Sequence, residues 1–122
     1  MAGKLVLSTL NDDTGVLATQ NGMTGICKAW VNFNGVTTAT IRAAFNTSSI
    51  TRNSSGNYTM NFTNAMPDAN YASIIQGGAE GQTQTPAAVD TGAYTTTAFR
   101  FAIGRSGVGP VDTQFVSVAI FD

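Results

Sequence analysis

Histidine is absent from this sequence. That removes the commonest general base and the commonest metal ligand, and with them Ser-His-Asp hydrolysis, Cys-His proteolysis and His-ligated metal centres. Cys27 is the lone cysteine, so neither an intrachain disulfide nor a cysteine-based zinc site can form, and it reads as a small buried hydrophobe. Charge is scarce: 11% of residues are Asp, Glu, Lys or Arg, under half of the roughly 25% usual in soluble domains. Six basic residues against seven acidic ones leave a net charge of −1, with no basic field for nucleic acid or an anionic membrane. No apolar run approaches the ~20 residues of a membrane span. Leu5-Val6-Leu7 behind Lys4 is also too short for the ~7–15-residue core of a signal peptide. The expectation is a protein made in a cytoplasm and not exported by the general secretory route.

What fills the space is uncharged polarity. Thr, Asn, Ser and Gln supply 41 of the 122 residues, and Gly adds 13. Threonine suits a pleated, half-buried surface, whereas Asn and Gly suit tight turns. One Glu and two Lys do not build amphipathic helices. A chain of this length makes one domain, which hides roughly two thirds of its unfolded surface. The composition predicts an all-β protein rich in turns.

Residues 4–10 predict a short strand, 11–15 a turn, and 16–24 a weakly patterned stretch containing the turn pair Asn21-Gly22. Residues 1–24 hold too little apolar surface for a core of their own. They read as an arm docking on the body or on a neighbouring subunit, with 25–122 as the folded domain. From Gly25 a period of two takes over: Ala29, Val31 and Phe33 alternate with Trp30, Asn32 and Asn34. Ile41, Ala43 and Phe45 alternate with Thr40, Arg42 and Ala44. Ile50 and Arg52 lead through 53–57 to Tyr58, Met60 and Phe62, a hairpin with one apolar face. Residues 65–70 read as a loop and 71–76 as a strand. Residues 77–92 are small and polar without periodicity, which predicts a long loop. A strand starting near Ala93 carries Phe99, Phe101 and Ile103, and 104–112 predicts a second glycine-rich loop.

The last strand, 114–121, is apolar on both faces, with Phe115, Ala119 and Phe121 on one and Val116, Val118 and Ile120 on the other. Such a strand is expected at a sandwich centre or a subunit interface. Seven or so short strands and no convincing helix predict an antiparallel β-sandwich, jelly-roll-like.

Catalytic chemistry finds little footing. The carboxylates Asp12, Asp13, Asp68, Glu80, Asp90, Asp112 and Asp122 offer no pair placed to face one another across a sugar. Asp12-Asp13 reads as a turn. Asp68-Ala69-Asn70 opens like a calcium loop but lacks the remaining ligands and the bidentate Glu. Residues 104–109 echo a phosphate-cradling glycine pattern without the Lys-Ser/Thr or the helix that give it function. Trp30, Tyr58, Tyr71 and Tyr94 are either a stacking platform for sugar rings or aromatics at core edges and subunit contacts. The reading is a non-enzyme with no cofactor and no metal.

Lys28-Ala29-Trp30-Val31-Asn32-Phe33-Asn34-Gly35, Ile41-Arg42, Ser48-Ser49-Ile50-Thr51, the run from Asn57 to Thr63 and Ala65-Met66-Pro67-Asp68-Ala69-Asn70-Tyr71 form a connected pattern. It resembles a recurrent module of tailed-bacteriophage virion proteins, mostly described as tail-fibre or virion structural proteins. The resemblance covers roughly residues 28–71, is weaker over Val116-Ser117-Val118-Ala119-Ile120-Phe121, and is absent from 77–112. Arg52 and Asn57 stand where an acidic residue is common in the module, and Val36-Thr37-Thr38 replaces a glycine-containing turn. The resemblance implies a non-enzymatic protein exposed on the virion, assembled in the host cytoplasm as a homotrimer. It carries over no catalytic or mapped binding residues.

Three functions follow as expectations. The first is a trimeric tail-fibre or receptor-binding module. Loops 77–92 and 104–112 would then touch a host surface glycan or protein through Gln82, Gln84, Tyr94 and Arg105. Leu5, Leu7, Phe115, Val116, Val118 and Ile120 would meet other subunits or other virion proteins. The alternative is a capsid decoration (cement) protein, since 122 residues leave no room for a fibre shaft. The third is a free carbohydrate-binding module, which requires Trp30 or Tyr94 to be exposed.

Overall fold

Alternation along each strand divides the side chains into an inner and an outer set. The structure, a computed structural model, describes Gly3 and residues 26–79, 82–88 and 92–122. Among these there is no helix, and ten strands follow in order. They are β1 (Cys27–Asn34), β2 (Thr40–Phe45), β3 (Thr47–Ser54), β4 (Asn57–Phe62), β5 (Ala72–Ala79), β6 (Gln82–Thr83), β7 (Thr85–Ala88), β8 (Ala98–Arg105), β9 (Gly109–Pro110) and β10 (Phe115–Phe121). One sheet has the order β2-β1-β10-β5-β6; the other has β3-β4-β8-β7, with β9 paired to β8, and every pairing is antiparallel. β10 lies between β1 and β5, and β8 between β4 and β7. The two sheets pack face to face as an antiparallel β-sandwich in which early and late strands interleave.

The inner set is the core. Ala29, Val31 and Phe33 from β1 and Val116, Val118 and Ile120 from β10 meet Tyr58, Met60 and Phe62 from β4 and Phe99, Phe101 and Ile103 from β8. Phe33 packs edge-on against Tyr58 at 5.2 Å between ring centres, and Phe99 stacks on Phe101 at 5.6 Å. Each such side chain contributes about 1.5–3 kcal/mol by leaving water.

Two corners are built from particular residues. Asn46 takes the chain from β2 in one sheet to β3 in the other with φ 51°, in the left-handed region that asparagine tolerates better than most residues. Its Nδ2 donates to the carbonyls of Lys28 (3.0 Å) and Asn64 (3.1 Å), and its Oδ1 accepts from the Asn64 amide at 2.7 Å. Gly56 turns β3 into β4 with φ 67°, where a Cβ would strike the backbone of Val111 and Ile103. That close approach lets the Gly56 amide reach Asp112 Oδ1 at 2.9 Å. Arg52 grips the same carboxylate through Nε (3.0 Å) and Nη2 (2.9 Å), and the Tyr58 hydroxyl stands 3.3 Å away. Arg52 holds the Asp112 carboxyl down to about 2. Burial pushes the hydroxyls of Tyr58 and Tyr71 up to about 12.

Three expectations need correction. Residues 77–92 are mostly strand: β5 continues through Gly77 and Gly78 to Ala79, β6 pairs back onto it, and β7 joins β8. Backbone ladders hold these small residues, so no side-chain alternation announces them. Gly77 is needed bare, because a Cβ there would lie 2.9 Å from an Ile103 methyl. Residues 104–112 are mostly a hairpin, with β8 reaching Arg105 and Pro110 pairing with Gly104. Val116, Val118 and Ile120 are not available to another subunit. They point into the sandwich, because β10 is flanked by β1 and β5 and its alternate residues face β4 and β8.

Candidate functional site

The two outer faces of the sandwich differ in chemistry. On the β3-β4 side the outward residues are short and polar and bond to each other. Asn61 Nδ2 donates to Ser49 Oγ (3.0 Å) and Thr51 Oγ1 (3.1 Å), and Asn53 Nδ2 to Thr59 Oγ1 (2.8 Å). On the β1-β10-β5 side the outward positions include Trp30, 39% exposed, Ile74, 62% exposed, and Phe115, 55% exposed. Of the large exposed hydrophobics among the described residues, only Val108, in the β8–β9 turn, lies elsewhere.

Register explains how these residues come together. Trp30 sits opposite Ala119, and Ala119 opposite Ile74, so a small residue separates two bulky ones in a cross-strand row. One step of two residues along, Asn32, Ser117 and Gln76 form a polar row. One step further, Phe115 faces Gly78. The result is an open trough. A hollow of about 290 Å³ lies between Trp30 and Ile74. It continues past Gln76 and Ser117 into a second hollow of about 190 Å³ beside Phe115 and Gly78. From Ala119 to Phe115 the trough runs roughly 13 Å along β10.

The lining is fixed by local bonds. Asn32 Nδ2 donates to Ser117 Oγ at 3.0 Å. The Arg42 guanidinium lies 5.1 Å over the Phe115 ring, while its Nη1 and Nη2 donate to the carbonyls of Phe33 (2.9 Å) and Gln114 (2.8 Å). The cation therefore braces the ring from the β2 side. The side chains lining both hollows are uncharged.

The residues singled out from sequence are not one site. Gln82 lies on the edge strand β6, with its backbone opposite Ala79. Gln84, where the chain passes from β6 to β7, has both amide atoms buried without a hydrogen-bond partner, so its polar end is not offered to a surface ligand. Arg105 ends β8 at an exposed turn. Tyr94 bridges to Phe99, six residues back from Arg105 and so roughly 20 Å away along the strand. It is half-buried, packs on Phe99 (4.8 Å) and Tyr71 (5.3 Å), and its hydroxyl lies 2.8 Å from Ser73 Oγ. Tyr94 is a brace between the sheets. Leu5 and Leu7 lie outside the described residues, as do Glu80 and Asp90. Phe115 is exposed as an interface candidate must be, and Trp30 meets the condition set for a sugar platform.

Ile74, Gln76, Asn32 and Ser117 were not singled out from the sequence. Nothing in a strand's own alternation says which of Ile74 and Ile75 faces out; pairing with β10 decides it. Among the described residues, no group of three or more Cys, Asp or Glu side chains is gathered to hold a metal.

The chain matches no known family model, curated protein or solved structure. Function is argued below from the trough and its surroundings.

Proposed function

We propose that this protein is a non-enzymatic recognition module on the exterior of a tailed-bacteriophage virion. It acts as a homotrimeric receptor-binding component of tail-fibre type. One observation carries the reading: a stable sandwich presents one hydrated face, and one face where Trp30, Ile74 and Phe115 are held out in water. Clustered aromatic and aliphatic side chains at low local charge are what recognition surfaces are made of. The pattern from Lys28 to Tyr71 supports the virion assignment. The sparse charge supports it too, because subunits pack with few ions to desolvate. Contact with the host is made through the β1-β10-β5 face.

The test is the copy number of this chain in purified particles, by quantitative mass spectrometry against the major capsid protein. A few dozen copies or fewer is the expected result. A ratio near one to one or one to three would make it a head decoration protein and end the receptor reading. Purified protein is further expected to slow phage adsorption to host cells, and to leave glycans and peptidoglycan uncleaved.

A further inference from the structure

We propose that the trough across β1, β10 and β5 binds a neutral oligosaccharide. The inference deepens the recognition function above and rests on it. Four features select this ligand. The aromatic rings stand at the two ends of the trough, Trp30 against the first hollow and Phe115 against the second. A pyranose presents a flat C–H face that packs on such rings. Between them the outward row is Asn32, Ser117 and Gln76, two planar amides and a hydroxyl. The Gln76 amide offers a donor and an acceptor side by side, matching adjacent sugar hydroxyls, while Asn32, which donates to Ser117 Oγ and accepts from Arg42 Nη1 at 3.5 Å, adds its second N–H and Ser117 its hydroxyl proton. The lining side chains carry no charge, and the neighbouring Arg42 already donates to two backbone carbonyls. The uncharged lining itself complements a neutral ligand, with Arg42 engaged beside it rather than in it. Finally, Ala119, Ser117 and Gly78 leave an open channel along the strands, long enough for a short run of rings.

Trp30 is the only tryptophan, so its fluorescence reports on the site alone. The whole protein is titrated with maltotriose, cellotriose, mannotriose and tri-N-acetylchitotriose, with sialyllactose and trigalacturonate as anionic probes. At least one neutral trisaccharide is expected to shift the Trp30 emission saturably at millimolar concentration or below, with no response to the anionic pair. Gln76→Ala and Phe115→Ala are each expected to weaken binding roughly tenfold with an unchanged thermal melt. Trp30→Phe, followed by calorimetry, should retain weakened binding. The proposal is overturned if no neutral sugar moves the emission, or if only the anionic ones do. It also fails if emission shifts with protein concentration alone, since a second copy then covers the face. Adsorption competition separates the two levels: protein that blocks adsorption without binding any sugar keeps the receptor function and loses the saccharide. Protein that binds sugar but does not block adsorption keeps the saccharide site and loses the receptor function.

Discussion

At the scale of single residues, Asp112 binds parts of the chain that are distant in sequence. Its carboxylate joins Arg52, the Gly56 amide and the Tyr58 hydroxyl, so the β3–β4 hairpin is held to the approach to β10. Its native value near 2 lies below the ordinary 3.8. The stabilisation is therefore full above about pH 4 and is lost as pH falls toward 2. Asp112→Asn should lower stability at pH 7 and flatten the acid limb of the denaturation profile; urea melts from pH 2 to 7 check both. Tyr58 and Tyr71 act at the other end of the scale. Both hydroxyls ionise at about 12 in the fold against 10 when free, so stability is intact below pH 10 and falls between 10 and 12. Tyrosinate absorbance followed together with circular dichroism should show unfolding accompanying ionisation. Gln84 offers the opposite case, a buried amide without partners. Gln84→Leu should raise stability by about 1 kcal/mol, read as a higher urea midpoint with an unchanged slope.

At the scale of elements, β10 shows what alternation can and cannot say. Its two apolar faces were visible in the sequence, and so was a place at the centre of a sheet. Which face turns inward was not, because a one-residue change of register exchanges them. The structure puts Val116, Val118 and Ile120 inside and leaves Phe115 out. Ile120→Ala should cost about 2–4 kcal/mol through the cavity it leaves, whereas Ser117→Ala on the opposite face should stay within about 0.5 kcal/mol. Chemical denaturation of both variants checks the assignment. The strands β1, β2 and β4 were legible because apolar residues stand at every second place in each, and β3, whose one apolar residue is Ile50, was legible as the other arm of the hairpin that runs through residues 53–57 into β4. β6 and β7 were not, since Gln, Thr, Pro and Ala in short ladders carry no such signal. Their existence depends on free edges of β5 and β8 that only the assembled sheets provide.

At the scale of the whole molecule, asymmetry between the two outer faces is the feature on which the proposed function rests. If the chain trimerises as proposed, its melting temperature should rise with protein concentration, because association stabilises the folded form by mass action; scanning calorimetry over a hundredfold range measures it. The sequence alone determined the class of fold, since abundant Thr, frequent turn residues and period-two strands admit little else. It also removed histidine-based and cysteine-pair chemistry before any coordinate was needed. The tertiary structure decided the proposed site. Trp30, Gln76, Ser117 and Phe115 lie as much as 87 residues apart in the chain and become neighbours only through the pairing of β1 and β5 with β10. Sheet register is a long-range property, so the face of a protein that meets its ligand is written in pairings between distant strands, which local patterns cannot express.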